Sequence, residues 1–206
     1  PTCHYVFMLE ESGPITRRTF YGFEDLKDAY RWFVPHTRNT KVAVHCVKDA
    51  KKPMKIMLDI DIAKSGGHME QHKQIARDAI NALIAELKEY GQEKVECEIS
   101  RNIRDDKVGY HVDTEVAVDN KAAYGVIIDA VRKRMKPEYH EYVDRVPGDN
   151  MRMPFTHKKG IQLLPTKLEA NYTITREKFD FLVPTNTEKC VILDVVIPVQ
   201  PKSEHV

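Results

Sequence analysis

The sequence predicts an α+β protein in which helices back a mixed β-sheet. Between residues 54 and 118 the periodicity of apolar side chains indicates strand, helix, strand and strand, and a further helix follows. The longest helical pattern of the chain lies inside this series. With 206 residues, of which 42% are hydrophobic and 31% charged, the chain has an ordinary globular composition and is long enough for one sizeable core or two small subdomains.

The first part of the chain, residues 1–53, is predicted to form an N-terminal α/β subdomain. Runs of alternating apolar residues favour strands, and Leu26, Tyr30 and Phe33 have the spacing of a helix that Pro35 stops. The predicted strands are residues 3–9, 15–21 and 41–47, and the predicted helix is residues 24–33.

The second part, residues 54–200, is predicted to form an RRM-like layer, an antiparallel or mixed sheet covered by helices. Its predicted strands are residues 55–62, 93–100 and 107–113, its predicted helices are residues 68–90 and 120–135, and closing strands with a short helix are predicted over residues 160–165, 172–179 and 190–199. His68 and His72 are four apart on the longer helix, but such a pair without a Glu between it is typical of a solvated helix face. We expect residues 1–206 to be a single domain excised from a longer protein.

Charge and cysteine content limit the classes of function. The 32 basic and 31 acidic residues give a net charge of +1, so a site for a polyanion must come from local clustering. The four cysteines are far apart and form no CxxC pair, which favours reduced thiols in an intracellular protein, cytoplasmic or nuclear. No apolar run reaches the roughly 20 residues of a membrane span, so no membrane contact is expected.

Two carboxylates interrupt the most apolar predicted strand, at Asp59 and Asp61. Side chains alternate faces along a strand, so both acids project from one face while Leu58, Ile60 and Ile62 are buried on the other. Neighbouring carboxylates repel and are unfavourable on a half-buried strand unless a cation compensates them. The pair therefore points to a divalent metal with oxygen ligands, Mg²⁺ or Mn²⁺. The alternative is a solvated face with two ordinary acids.

A second polar face follows on the strand at residues 107–113. Lys107, Gly109, His111 and Asp113 share this face by the same period of two. Glycine in a strand often marks the close approach of a ligand. The alternative is an edge strand with its polar residues turned outward.

A third carboxylate and a basic strip come next in the chain. Asp144 follows an apolar residue in a strand-like position, and Arg152, His157 and Lys158 are cationic or can become so. Three carboxylates with a Lys/His face and further cations are what nucleotidyl transfer requires. Two metals activate the attacking hydroxyl and stabilise the leaving pyrophosphate, while cations hold the triphosphate.

These motifs resemble those of the archaeo-eukaryotic primase superfamily, particularly its primase-polymerase and viral primase branches. The family's DxD motif is matched by Asp59-Ile60-Asp61, its second motif by Lys107-Val108-Gly109-Tyr110-His111, its third by Val143-Asp144, and the Asn/Arg-rich segment that follows by Asn150-Met151-Arg152 with Lys158 six residues on. The resemblance covers residues 55–160. It implies the archaeo-eukaryotic primase fold and a role in DNA replication, including that of viruses or mobile elements.

The resemblance also implies roles for individual residues. Asp59, Asp61 and Asp144 would be the catalytic and metal-binding acids. The residues expected to contact the nucleotide are Lys107, Gly109, His111, Arg152 and Lys158. Asp149 and Asp194 are rivals of Asp144 for the third carboxylate position.

The sequence departs from the family at two points. Gly109 stands where many primase-polymerases have Ser, which removes a hydroxyl contact to the nucleotide. The zinc-binding module of many relatives is absent from this sequence, which favours primer extension over primer initiation.

The function expected from this resemblance is that of a DNA primase or primase-polymerase domain. Such a domain would bind a single-stranded DNA template and NTPs or dNTPs, together with a fused or separate helicase. Two alternatives are a non-catalytic RRM-like nucleic-acid-binding module and a two-metal nuclease. An RRM-like module depends on aromatic stacking across its sheet, whereas the predicted face carries acids.

Overall fold

A computed structural model describes residues 3–145, 149–167 and 173–199 of the chain. Its strands are β1 (Tyr5–Glu11), β2 (Arg17–Phe23), β3 (Val42–Val47), β4 (Met54–Ala63), β5 (Cys97–Ile103), β6 (Lys107–Val118), β7 (Asn150–Arg152), β8 (His157–Lys158), β9 (Ile161–Gln162), β10 (Leu164–Pro165) and β11 (Val191–Leu193). Its α-helices are α1 (Leu26–His36), α2 (His72–Glu89), α3 (Lys121–Arg134) and α4 (Arg176–Leu182). Short 3₁₀ helices occur at Lys64–Gly66, Met69–Gln71 and Pro137–Tyr142. The predicted α+β class is confirmed.

The first sheet is antiparallel, with strand order β2-β1-β3-β7. One of its faces is apolar and packs against α1 and α4, because Phe7, Val44 and Cys46 alternate with residues that point the other way. Phe7, Phe33 and Phe179 lie at the centre of this first core, each with 0% of its surface exposed.

The second sheet is mixed, as predicted. Antiparallel pairing gives the order β10-β5-β6-β4. Strand β11 pairs in parallel with the last residues of β6, on the same side of β6 as β5, which pairs with its earlier residues. A single antiparallel bridge joins Ile60 to Val143 at the outer edge of β4. The 12-residue strand β6 is the centre of this sheet.

Helices α2 and α3 cover one face of the second sheet and form the second core. Along α2, Ile75, Ala79, Leu83 and Leu87 recur at helical spacing and are all buried. The side chain of Asn120 accepts a hydrogen bond from the backbone N–H of Ala123 and so caps α3.

The two cores do not divide at residue 54. Strand β7 pairs with the free edge of β3, and Met153, Phe155 and α4 pack into the first core. Lys55 links the two parts, since its ammonium donates hydrogen bonds to the carbonyls of Asp180 and Phe181 at the end of α4. The predicted subdomain of residues 1–53 is therefore only part of the first core, which the chain completes after residue 149.

Some element bounds differ from those predicted. The strand predicted at residues 93–100 is displaced to β5, because Arg101 and Asn102 pair with β6. Pro35 lies inside α1, which ends one residue later. The element predicted at residues 172–179 begins outside the described residues, and its described part contains the start of α4.

Two further findings concern the cysteines and membrane spans. All four cysteines are free thiols, of which Cys46 is buried. Over the described ranges, no helix is both long and apolar enough to cross a membrane.

Candidate functional site

A cleft of about 200 Å³ contains most of the predicted site residues. The second sheet contributes Asp59, Asp61, Asn102, Lys107 and His111, the first sheet contributes His45, Asn150, Met151 and Arg152, and Arg104, Lys158 and Ile161 complete the lining. The cleft therefore lies where the polar face of the second sheet meets the first sheet.

A larger cavity of about 900 Å³ is lined by the start of β1, the connection between β3 and β4, and residues 185–189. It contains none of the predicted site residues. Its lining mixes acids such as Glu24 and Asp180 with bases such as Lys52 and Arg176.

Pairing between β4 and β6 brings the first two motifs together. Asp59 is directly opposite His111, and Asp61 is directly opposite Gly109. Directly opposite residues share a face of the sheet. The Lys107 ammonium lies 2.5 Å from Asp61 Oδ2, and His111 Nε2 lies 3.5 Å from Asp59 Oδ1. The two predicted faces are thus one continuous surface.

Asp59 is an acid of this surface whose pKa is strongly shifted. Burial, followed by repulsion from Asp61 and Asp144, raises the pKa of its carboxyl from 3.8 to about 7, although Lys107 and Arg152 act in the opposite direction. A cation in the cleft would relieve this repulsion and favour the ionised form.

His111 is a buried imidazole at the cleft. Its burial, with Arg152 as the next largest contribution, lowers its pKa to about 3, so the ring is neutral at pH 7. Its Nδ1 has no hydrogen-bond partner in the described parts of the chain. A neutral imidazole can donate through one nitrogen only and accept through the other.

Arg152 and Lys158 reach the cleft from the opposite side. Arg152 is on β7, and burial lowers the pKa of its guanidinium to about 10, with Asp59 and Asp61 opposing the shift. Lys158 is exposed on β8, just before the β8–β9 turn, where Lys159 and Gly160 have φ of 52° and 76°. Two cations therefore face the carboxylate pair.

Gly109 lies where a side chain would crowd the surface. A Cβ at this position would be 3.0 Å from Asn102 Oδ1 and 3.2 Å from Asp61 Oδ1. The glycine thus leaves room for the Asn102 and Asp61 side chains, which line the cleft.

Asp144 lies beside the pair but does not line the cleft. Its backbone N–H donates a 2.9 Å hydrogen bond to the carbonyl of Asp59, next to the bridge between Ile60 and Val143. Its carboxylate is close enough to raise the pKa of Asp59. Tyr142 helps to hold this segment, since its hydroxyl is 2.7 Å from His68 Nδ1.

The rivals for the third carboxylate position lie elsewhere. Asp149 is exposed and forms an ion pair of 2.9 Å with Lys121. Asp194 follows β11, which pairs with β6 up to Val118. At about 3.3 Å per residue, Val118 is roughly 23 Å from His111 along β6. Asp144 is therefore the best placed of the three acids.

The predicted pair of histidines on the long helix does not form a common site. His68 contacts Tyr142, whereas His72 Nδ1 is 2.6 Å from the hydroxyl of Tyr110. Each imidazole contacts a different tyrosine, which is a structural role.

Three polar residues of the cleft were not predicted from the sequence: His45, Asn102 and Arg104. His45 interrupts the otherwise apolar strand β3, which is a weak signal of a polar role on the face turned away from the first core. Asn102 and Arg104 belong to a segment predicted as a charged loop, and only the pairing of β5 with β6 brings Asn102 beside Gly109.

Asp59 and Asp61 are the residues that could hold a metal. Their carboxylates suit Mg²⁺ or Mn²⁺. In this structure the Lys107 ammonium neutralises Asp61. Within residues 3–145, 149–167 and 173–199, no three His, Cys, Asp or Glu side chains are arranged to hold a metal ion. The role of Asp144 as a third ligand stays a prediction.

No protein-family model matches the chain, and no curated protein sequence shows significant similarity to it.

Proposed function

We propose that this chain is a nucleotidyltransferase whose active site is the cleft between the two sheets. Within that class, the order and spacing of its motifs favour a DNA primase or primase-polymerase domain. The observation that carries the proposal is the register of β4 and β6, which sets Asp59 and Asp61 directly against His111 and Gly109.

The charges of the cleft suit a nucleoside triphosphate. Arg152 and Lys158 offer cations opposite the carboxylate pair, and Lys107 and His111 offer donors beside it. Arginine and lysine bind phosphate oxygens through charge-assisted hydrogen bonds. Because Gly109 has no side chain, it does not crowd the Asn102 and Asp61 side chains that line the cleft.

Asp59 and Asp61, with Asp144 as the proposed third acid, would hold Mg²⁺ or Mn²⁺. When bound, the metal supplies activation of the attacking hydroxyl and stabilisation of the leaving pyrophosphate. The chain's own residues would orient the phosphates.

The arrangement of the second sheet is compatible with the proposed primase fold. The chain runs through β4, α2, β5, β6 and α3 to the bridge at Val143, and the spatial order is Val143, β4, β6, β5. This is a β-α-β-β-α-β series with its last strand reduced to one bridge.

The non-catalytic alternative has less support. An RRM-like module stacks bases on aromatic residues of its open sheet face, whereas Tyr110 of β6 is 4% exposed and belongs to the second core. The open face carries Asp59 and Asp61, which would repel phosphates without a cation. The proposed substrates are therefore a single-stranded DNA template and NTPs or dNTPs, with a helicase as a proposed fused or separate partner.

The test is nucleotide incorporation on a single-stranded DNA template with labelled NTPs or dNTPs and Mn²⁺ or Mg²⁺, with and without a primer. The Asp59→Asn, Asp61→Asn double variant should lose at least about a hundredfold in rate, since metal ligation is worth several kcal/mol.

The matched control is the Asp149→Asn, Asp194→Asn double variant. It also removes two negative charges, but outside the cleft, and should keep the wild-type rate. Absence of incorporation by the folded wild-type chain under every condition would contradict the proposal. Cleavage of the template without incorporation would favour a two-metal nuclease.

A further inference from the structure

His45 is a buried histidine at the cleft that none of the sequence motifs includes. It lies on β3 directly opposite Arg152 of β7, so both side chains share one face of the first sheet. That face is turned away from the first core, to which Val44 and Cys46 belong. His45 lines the same cleft as Asp59.

The ring of His45 lacks the contacts that buried polar groups normally make. The residue is 7% exposed, and neither Nδ1 nor Nε2 has a hydrogen-bond partner in the described part of the chain. Buried side-chain polar atoms are hydrogen-bonded in the large majority of cases, and the exceptions require an explanation. The ring of His45 thus has an unused donor and an unused acceptor beside the cleft wall.

The charges around His45 favour an anion. Burial has the largest effect on the pKa of His45; of the charges, Glu10 contributes most and raises it, whereas Lys158, Arg152 and Arg18 lower it. Glu10 is already paired with Arg18 at 3.0 Å. Together these effects bring the pKa of His45 to about 4, so at pH 7 the ring is neutral and carries one N–H donor.

We propose that His45 donates a hydrogen bond to a phosphate oxygen of the nucleotide bound in the cleft, beside Arg152. The nucleotide-binding site then spans both sheets, with Lys107 and His111 on one side and His45 and Arg152 on the other. This inference rests on the proposed function in taking a triphosphate as the ligand.

The experiment compares His45→Phe with His45→Gln. Phenylalanine keeps the ring shape without a donor, whereas the glutamine amide keeps a donor. Binding of inorganic tripolyphosphate and of dATP is measured by isothermal titration calorimetry, and KM and kcat for the nucleotide are measured by primer extension. His36→Phe, a ring packed against Trp32 outside the cleft, is the control.

Loss of one hydrogen bond to a charged group should weaken tripolyphosphate and dATP binding and raise KM by about tenfold or more in His45→Phe. The value of kcat should change little, and His45→Gln should keep most of the affinity. Because His45→Phe removes a buried polar group, folding of every variant is checked by circular dichroism. In the wild-type chain, the ring nitrogen resonances of His45 should shift when tripolyphosphate is added, which requires no variant to fold.

The outcomes separate this inference from the proposed function. Unchanged affinity and KM in His45→Phe, or His45 resonances that do not move, would overturn the inference even if the wild-type chain synthesises DNA. Wild-type binding of tripolyphosphate that is lost in His45→Phe, without any nucleotide incorporation, would support the inference and overturn the proposed function. A wild-type chain that binds neither probe overturns the inference.

Discussion

The two faces of the second sheet differ sharply although they are built from the same strands. On the helix-covered face, Leu58, Ile60 and Ile62 each have 0% of their surface exposed. On the cleft face, the residues that alternate with them, Asp59 and Asp61, are carboxylic acids. One face therefore supplies the apolar burial that stabilises the fold, and the other concentrates groups that are unfavourable to bury.

The cleft face carries acids and an imidazole whose pKa values are strongly shifted. Burial raises the pKa of Asp59 and of Asp113 to about 7 and lowers that of His111 to about 3. Such groups cluster at functional sites because binding and catalysis need poised charges. A strand whose side chains alternate between two faces can therefore stabilise the fold on one face and hold reactive groups on the other.

The largest expected effect is on the apolar face. Ile60→Ala removes buried methyl groups and leaves a cavity in the second core, so the free energy of unfolding should fall by about 2–5 kcal/mol. Urea unfolding measures it. The control is Ile103→Ala on the same sheet, where the side chain is 53% exposed and the change should stay within about 0.5 kcal/mol. Equal effects at both sites would break the comparison.

On the cleft face, Asp113→Asn should stabilise the protein at high pH. Asp113 is 4% exposed, and burial raises its pKa to about 7, with Lys55 acting in the opposite direction. Between about pH 4 and pH 7 the folded chain holds a proton on Asp113 that the unfolded chain has released. The contribution of Asp113 to the free energy of unfolding of the wild type therefore falls as the pH rises through this range.

The variant should therefore be more stable than wild type by about 2–4 kcal/mol at pH 8, and its advantage should shrink toward pH 4. Urea unfolding at a series of pH values measures the difference in free energy of unfolding between the two proteins. Both contain the same histidines, so the effect of histidine titration cancels in this difference. A difference that does not vary with pH would contradict the assignment of the effect to Asp113.

The smallest expected effect concerns Gly109, beneath two side chains of the cleft. In Gly109→Ala the new Cβ would approach Asn102 Oδ1 to 3.0 Å, and the crowding should destabilise the fold by about 1 kcal/mol. Adding Asn102→Ala should recover most of this loss, because it removes the crowded oxygen. A double-mutant cycle without coupling would show that the glycine has another role.

The pairs that sequence reasoning predicted are those with a local signature. Asp59 and Asp61 share a face because side chains alternate along one strand, and Lys107, Gly109 and His111 follow the same rule. Which residue of β4 lies opposite which residue of β6 depends on strand register across a connection of more than forty residues. Periodicity alone could not predict the contact between Asp59 and His111.

The position of His45 depends on contacts even more distant in the chain. The strand β3 was predicted, but its partner β7 is three residues long and more than one hundred residues away. The burial of Asp113 is similar, since α4 contacts β6 and Lys178 of α4 pairs with Glu98, the register partner of Asp113. Side chains that arrive from the far end of a chain leave no pattern in the local sequence.

The pairing of β3 with β7 also has a consequence for the order of events during biosynthesis. A nascent chain that has emerged only as far as residue 118 contains β4, β5 and β6 but lacks β7 and α4, so the edge of β3 is unpaired and the apolar face of the first sheet is covered by α1 alone. Exposed strand edges and apolar surfaces favour misassembly. Completion of the first sheet, and with it of the cleft, must therefore wait for the second half of the polypeptide.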